Sequence, residues 1–169
     1  MPAIQISVIG SGDAASDHAE EVGRLLARSG CTLVCGGLGG VMAAAARGAR
    51  LAGGTTIGIL PGESRFEANP WIEHAVVTGI GHARNLAVAA SGEAVIAVGG
   101  SWGTLTEIGF ARRLGRPVVL LGTAWRLEDD AVVRAATPAE AVGLALELAL
   151  RAREQPLLGT APAQPERGE

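Results

Sequence analysis

The stretch AVGGSWGTLTEIGFARRLGRPVVLL, residues 97–121, contains the residues best suited to chemistry. Apolar strand-like residues run into Gly99 and Gly100, then Ser101, Gly103 and Thr104 lead into a helical pattern. The free N–H groups of a helix start point outward and attract an anion, and glycines let a ligand approach the backbone closely. Glu107 stands just beyond. It has two readings. Thr104-Leu105-Thr106-Glu107 matches a capping box in which Thr104 caps the helix and Glu107 returns to it. Alternatively, Glu107 lies beside the sugar of a bound nucleotide, where a carboxylate orients water or stabilises charge on the ribose. The two differ in exposure, since a catalytic Glu107 faces the pocket. Arg84 opens another helical segment, where a cation opposes the helix dipole, so a phosphate or a leaving base is a functional partner for it.

These residues need a scaffold that gathers loops at one edge. Apolar runs at 4–10, 32–37, 55–61, 74–79, 94–100, 117–122 and 131–138 alternate with helical patterns at 13–30, 40–54, 82–92, 104–115 and 138–154. The runs are continuously apolar, as strands of a parallel sheet covered on both faces must be. We therefore expect an α/β fold, Rossmann-like and doubly wound, with a mostly parallel sheet of about seven strands and helices on both faces. Ligands bind such sheets beyond the carboxyl ends of the strands.

Four loops fall at that edge: Gly10-Ser11-Gly12, Gly36-Gly37-Leu38-Gly39-Gly40, Pro61-Gly62 and the turn from Gly99 to Thr104. Together they point to a phosphate-bearing ligand of nucleotide size. The candidate binding residues are Gly10, Ser11, Gly36, Gly37, Gly40, Met42, Asn85, Gly99, Gly100, Ser101, Gly103 and Thr104, with Glu107 and Arg84 as candidate catalytic residues. Trp71 and Trp102 are candidates to stack on a base or to pack as a lid or interface.

Several chemistries are excluded. All 14 basic residues are arginine, so there is neither a Walker lysine nor a lysine to hold pyridoxal phosphate. The first loop lacks the third glycine of the dinucleotide fingerprint, Ala15 taking its place, and the second strand ends without an acidic ribose ligand. His18, His74 and His82 lack metal-ligand spacing, and no metal is expected. Cys31 and Cys35 would lie about 13 Å apart in a strand, too far for a disulfide, and are read as core residues.

The chain has 169 residues, 48% of them hydrophobic, and a net charge of −3. That suits one domain over residues 1–154, with the Pro- and Gly-rich segment 155–169 expected to be a disordered tail. No apolar run is long enough to cross a membrane and no signal peptide is evident, so a cytoplasmic protein without a membrane partner is expected. The absence of a basic cluster argues against nucleic acid as a partner.

The segments 36–62 and 84–122 resemble the lonely-guy (LOG) family over roughly residues 4–150. The most specific element is G-G-x-G-T-x-x-E, here Gly99, Gly100, Gly103, Thr104 and Glu107. Better-known members are cytokinin riboside monophosphate phosphoribohydrolases, formerly labelled lysine decarboxylases. The resemblance implies a nucleoside 5′-monophosphate substrate, with Glu107 and Arg84 acting on its N-glycosidic bond and no required cofactor. Two departures weigh against turnover: Val98 stands where active members have proline, and Asn85 where they have lysine. The pattern is closer to a neighbouring branch that includes molybdenum cofactor carrier proteins. There the same site would carry the cofactor's pterin phosphate without catalysis, or sense a nucleotide. The family also implies a homodimer or higher homo-oligomer.

Overall fold

A computed structural model of the protein describes residues 1–11, 16–123 and 125–154. Gly12 and the segment 155–169 lie outside the described residues.

The seven apolar runs form one sheet: β1 (Gln5–Gly10), β2 (Thr32–Cys35), β3 (Thr56–Leu60), β4 (His74–Val77), β5 (Ala94–Val98), β6 (Val118–Leu121) and β7 (Val132–Ala135). Their order is β4-β3-β2-β1-β5-β6-β7, and every pairing is parallel. The helices are α1 (Asp17–Arg28), α2 (Val41–Leu51), α3 (Arg84–Ser91), α4 (Trp102–Arg113) and α5 (Pro138–Glu154). This is the expected doubly wound α/β fold.

Side chains alternate between two cores because successive strand residues point to opposite faces. Ile6, Val8, Leu33, Cys35, Ile96 and Leu121 pack under α1, α2 and α5. Ile9, Val34, Val95, Ala97 and Leu120 pack under α3 and α4. Ser7 is the polar exception on the second face, and its hydroxyl donates to the Val88 carbonyl of α3 at 2.6 Å. Cys31 and Cys35 are both free and buried, as expected.

Most strands are shorter than the apolar runs predict. Gly36 and Gly37 leave β2, and Gly99 and Gly100 leave β5, because Gly37, Gly99 and Gly100 all take positive φ. Helix α3 begins at Arg84, two residues later than predicted, after a 3-10 turn over Gly81–Ala83. No helix among the described residues is long and apolar enough to cross a membrane.

Helix α1 buries Ala19, Val22, Gly23 and Leu26 as one stripe, the spacing of a single helical face. It meets α2 at backbone distance. A Cβ on Gly23 would stand 1.9 Å from the Ala45 carbonyl oxygen, and one on Gly48 would stand 1.9 Å from that of Glu20. No flexible side chain there could move aside. Gly23→Ala is therefore expected to force the helices apart and destabilise the fold by roughly 1–3 kcal/mol, the usual cost of overpacking. Chemical denaturation would check this, and an unchanged midpoint would show that the helices separate freely.

Candidate functional site

The chain places β2, β3 and β4 on one side of β1, and β5, β6 and β7 on the other. The β1/β5 boundary is thus the topological switch point, where strand ends open a crevice. Gly10 ends β1 opposite Val98 of β5. The carbonyl of Ser11 accepts from the N–H of Val41, which fastens this turn to the start of α2.

The turn after β5 is shaped for close approach. Gly100 has φ +136, which L side chains rarely adopt, and an added Cβ would lie 2.8 Å from the Trp125 ring and 2.9 Å from Thr104. Gly100, Ser101, Trp102 and Gly103 are all exposed. Ser101 is the N-cap of α4, and its N–H donates to the Thr104 hydroxyl at 3.2 Å. The capping box is therefore Ser101 to Thr104, which corrects the expected Thr104 to Glu107 pairing. The cap lies three residues earlier because Ser101 already has the extended backbone of a cap, leaving Thr104 to return from the third helical position. The first-turn N–H groups of Trp102 and Gly103 have no acceptor within the helix.

Glu107 is consequently in the second turn, without the capping role. It is buried, at 7% exposure, and so is Arg84 at 7%. They stand on α4 and α3, neighbouring helices on the same face of the sheet. Burial pushes the Glu107 carboxyl up to about 7, against the pull of the Arg84 cation. Burial also lowers the Arg84 pKa, opposed by Glu107 and Cys35. No ion pair within 4 Å joins the two among the described residues, and the buried Nε of Arg84 has no hydrogen-bond partner. A buried guanidinium with an unsatisfied donor is costly unless something else compensates it.

Gly36 connects this pair to the second turn. A Cβ there would lie 2.2 Å from Nη1 of Arg84 and 2.6 Å from the sulfur of Met42. The absence of a side chain at Gly36 is what lets Arg84 lie across the end of β2. The Cys35 thiol beneath accepts from the Gly37 N–H at 3.4 Å. Burial pushes it up to about 11, with that N–H and Arg84 opposing and Glu107 adding to the rise.

The structure thus brings Gly36, Met42, Arg84 and Glu107 together, with Gly37 in the same turn. Gly40 caps α2 with φ +59. Asn85 is half-buried beside Arg84. Gly99 and Gly103 have no neighbour that would crowd a side chain. Trp102 is 82% exposed. Trp125, which packs on Gly100, was not among the candidates, and no local pattern marks it. Asn69 was also missed: its side-chain amide donates to the carbonyls of Gly37 at 3.2 Å and Leu38 at 2.8 Å. The Asn69-Pro70 turn signal could have drawn attention to it. Among the described residues no group of three His, Cys, Asp or Glu could hold a metal ion.

Known proteins resemble this chain over most of its length. A protein of Archaeoglobus fulgidus without an assigned function is 38% identical over 154 residues, spanning 89% of this chain and all of its own. The molybdenum cofactor binding protein of Rippkaea orientalis is 34% identical, with a TM-score of 0.82 over 88% of this chain and 98% of its own. The molybdenum cofactor carrier protein of Chlamydomonas reinhardtii is 38% identical, with a TM-score of 0.81 over 87% and 98%. The SLOG cluster4 family profile matches residues 3–146. With the glycine turns at the switch point and Glu107 beside Arg84, this match places the chain in the SLOG cluster4 family, within the LOG-like superfamily.

Proposed function

We propose that this protein binds and carries a phosphorylated pterin, the organic part of molybdenum cofactor, at the β1/β5 switch point. The observation that carries the reading is Arg84: a buried guanidinium whose Nε has no partner in the protein. An anion beside it supplies the missing countercharge. The N–H groups at the start of α4 and the exposed turn of residues 100–103 offer the remaining donors. The solved relatives described as binding or carrying molybdenum cofactor support this ligand class. Such a carrier needs neither a resident metal nor a catalytic group, because the molybdenum arrives with its cargo.

The test uses cofactor released from a molybdoenzyme. The protein is incubated with it and separated by gel filtration, and molybdenum and oxidised pterin are measured in the protein peak. We expect near-stoichiometric retention in the native protein and loss in Arg84→Met. Equal retention by both, or none by either, would overturn the reading.

One observation favours a second reading, hydrolysis of a nucleoside 5′-monophosphate. A carboxyl raised to about 7 is suited to general acid–base work near neutral pH. There Glu107 would activate water and stabilise charge on the ribose, releasing base and ribose 5-phosphate. Incubation with AMP and isopentenyl-AMP, followed by chromatography of free base, separates the readings. Base release abolished by Glu107→Ala would establish hydrolysis, and its absence leaves binding alone.

A further inference from the structure

A second concavity of about 490 Å³ opens beside the β2 turn, between the N-terminal ends of α1 and α2. Its polar walls are Ser16, Asp17 and Glu20 of the first helix, Gly40 and Arg47 of the second, and Trp71. That volume is within the usual range of small-molecule sites. Its charge is unsuited to a phosphate, since two carboxylates face a single cation.

The main chain of Trp71 is anchored at both its N–H and its carbonyl. Its N–H donates to the Asn69 side-chain oxygen at 3.0 Å, and its carbonyl accepts from the Thr56 hydroxyl at 2.7 Å. Asn69 in turn holds the glycine turn through Gly37 and Leu38. Arg47 stands over the indole with its guanidinium carbon 6.0 Å from the ring centre. Glu20 is committed to Arg47 at 3.4 Å. Asp17 carries no ion pair among the described residues. The groove therefore offers an aromatic face, a planar cation and an uncommitted carboxylate.

We infer that this groove receives the heteroaromatic ring of the ligand, selecting a 2-amino-4-oxopyrimidine edge. Pterins and guanine share that edge, which presents two adjacent N–H donors to the two oxygens of the Asp17 carboxylate. The ring stacks on Trp71, and Arg47 swings aside from over the indole to admit it. This deepens the proposed function and rests on the phosphate lying at Arg84. The two subsites adjoin through the β2 turn. Gly36 touches Arg84 and Gly40 lines the groove, so three residues, at most about 14 Å of chain, separate them. One ligand with a short linker between ring and phosphate spans that.

Calorimetric titration with guanosine, GMP and AMP tests the inference, because guanosine has the edge without the phosphate. GMP is expected to bind at least about tenfold more tightly than AMP, the discrimination expected of a bidentate carboxylate contact. Asp17→Asn removes that preference and leaves AMP unchanged. Trp71→Ala weakens guanosine and GMP alike by roughly tenfold, the usual worth of a base stack, and Trp71→Phe restores most of it. Equal affinity for GMP and AMP, GMP binding indifferent to Asp17→Asn and Trp71→Ala, or no binding of guanosine and GMP would each overturn the inference. Arg84→Met reports separately on the anion site: it weakens GMP but not guanosine. Failure of that arm alone removes the phosphate assignment and leaves the ring site standing.

Discussion

Arg84→Met is expected to weaken binding of phosphorylated ligands by about 100-fold while leaving the free protein at least as stable at pH 6. The loss follows from removing a charged donor whose hydrogen bonds to an anion contribute roughly 1.5–3 kcal/mol or more in a buried setting. Retained stability follows from the other side of the same placement. Arg84 is 7% exposed and its Nε is unpartnered, so the free protein bears the desolvation of a cation without full compensation. Methionine fills similar volume against Gly36 and Met42 without a charge. The pH matters because Arg84 lowers the pKa of Glu107. Removing the cation lets that pKa rise further, and at pH 6 Glu107 is already largely protonated. Paired measurements of Kd and Tm check this. A variant that binds as tightly as the native protein would show that the guanidinium is structural.

Glu107→Gln is expected to make stability less sensitive to pH. The carboxyl titrates at about 7 in the folded protein against 4.5 ordinarily. Below pH 4.5 both folded and unfolded forms are protonated, and the group favours neither. Between 4.5 and 7 the unfolded chain ionises while the folded one holds its proton, so stability falls as pH rises. Above 7 the loss is complete, at about 3 kcal/mol for a shift of this size. Glutamine is neutral throughout. The variant should therefore exceed the native protein by about 3 kcal/mol at pH 8.5 and match it near pH 4.5. Denaturation across that range reads the difference directly, and parallel profiles would refute the buried proton. The same ionisation places a negative charge beside the anion site. Affinity for a phosphorylated ligand should accordingly fall through pH 7 in the native protein more steeply than in Glu107→Gln. The comparison cancels the ligand's own titration.

Sequence by itself determined the layers of this protein. Its strand runs are apolar without alternation because both faces of a parallel sheet are covered, and that signature survives in one dimension. It also determined which loops reach the carboxyl edge, since glycines at strand ends answer a local need for backbone freedom. The pairing of Gly99, Gly100 and Gly103 with Thr104 and Glu107 was legible as a motif. Its internal register was not: Thr104 and Ser101 compete as caps within three residues, and the extended backbone of Ser101 decides between them. That choice moved Glu107 from a solvent-facing cap to a buried acid. Tertiary structure alone decided the rest. Strand order put the end of β1 beside that of β5, and packing of α3 against α4 brought Glu107 toward Arg84. The bare Cα of Gly36 admitted the guanidinium across the end of β2. Trp125 came to rest on Gly100, and the hydrogen bonds of Asn69 set Trp71 beside α2. Local rules govern turns, caps and periodicity because those depend on neighbouring residues. Burial and desolvation, which set the chemistry of Arg84 and Glu107, depend on residues distant in the chain and exist only once the sheet has formed.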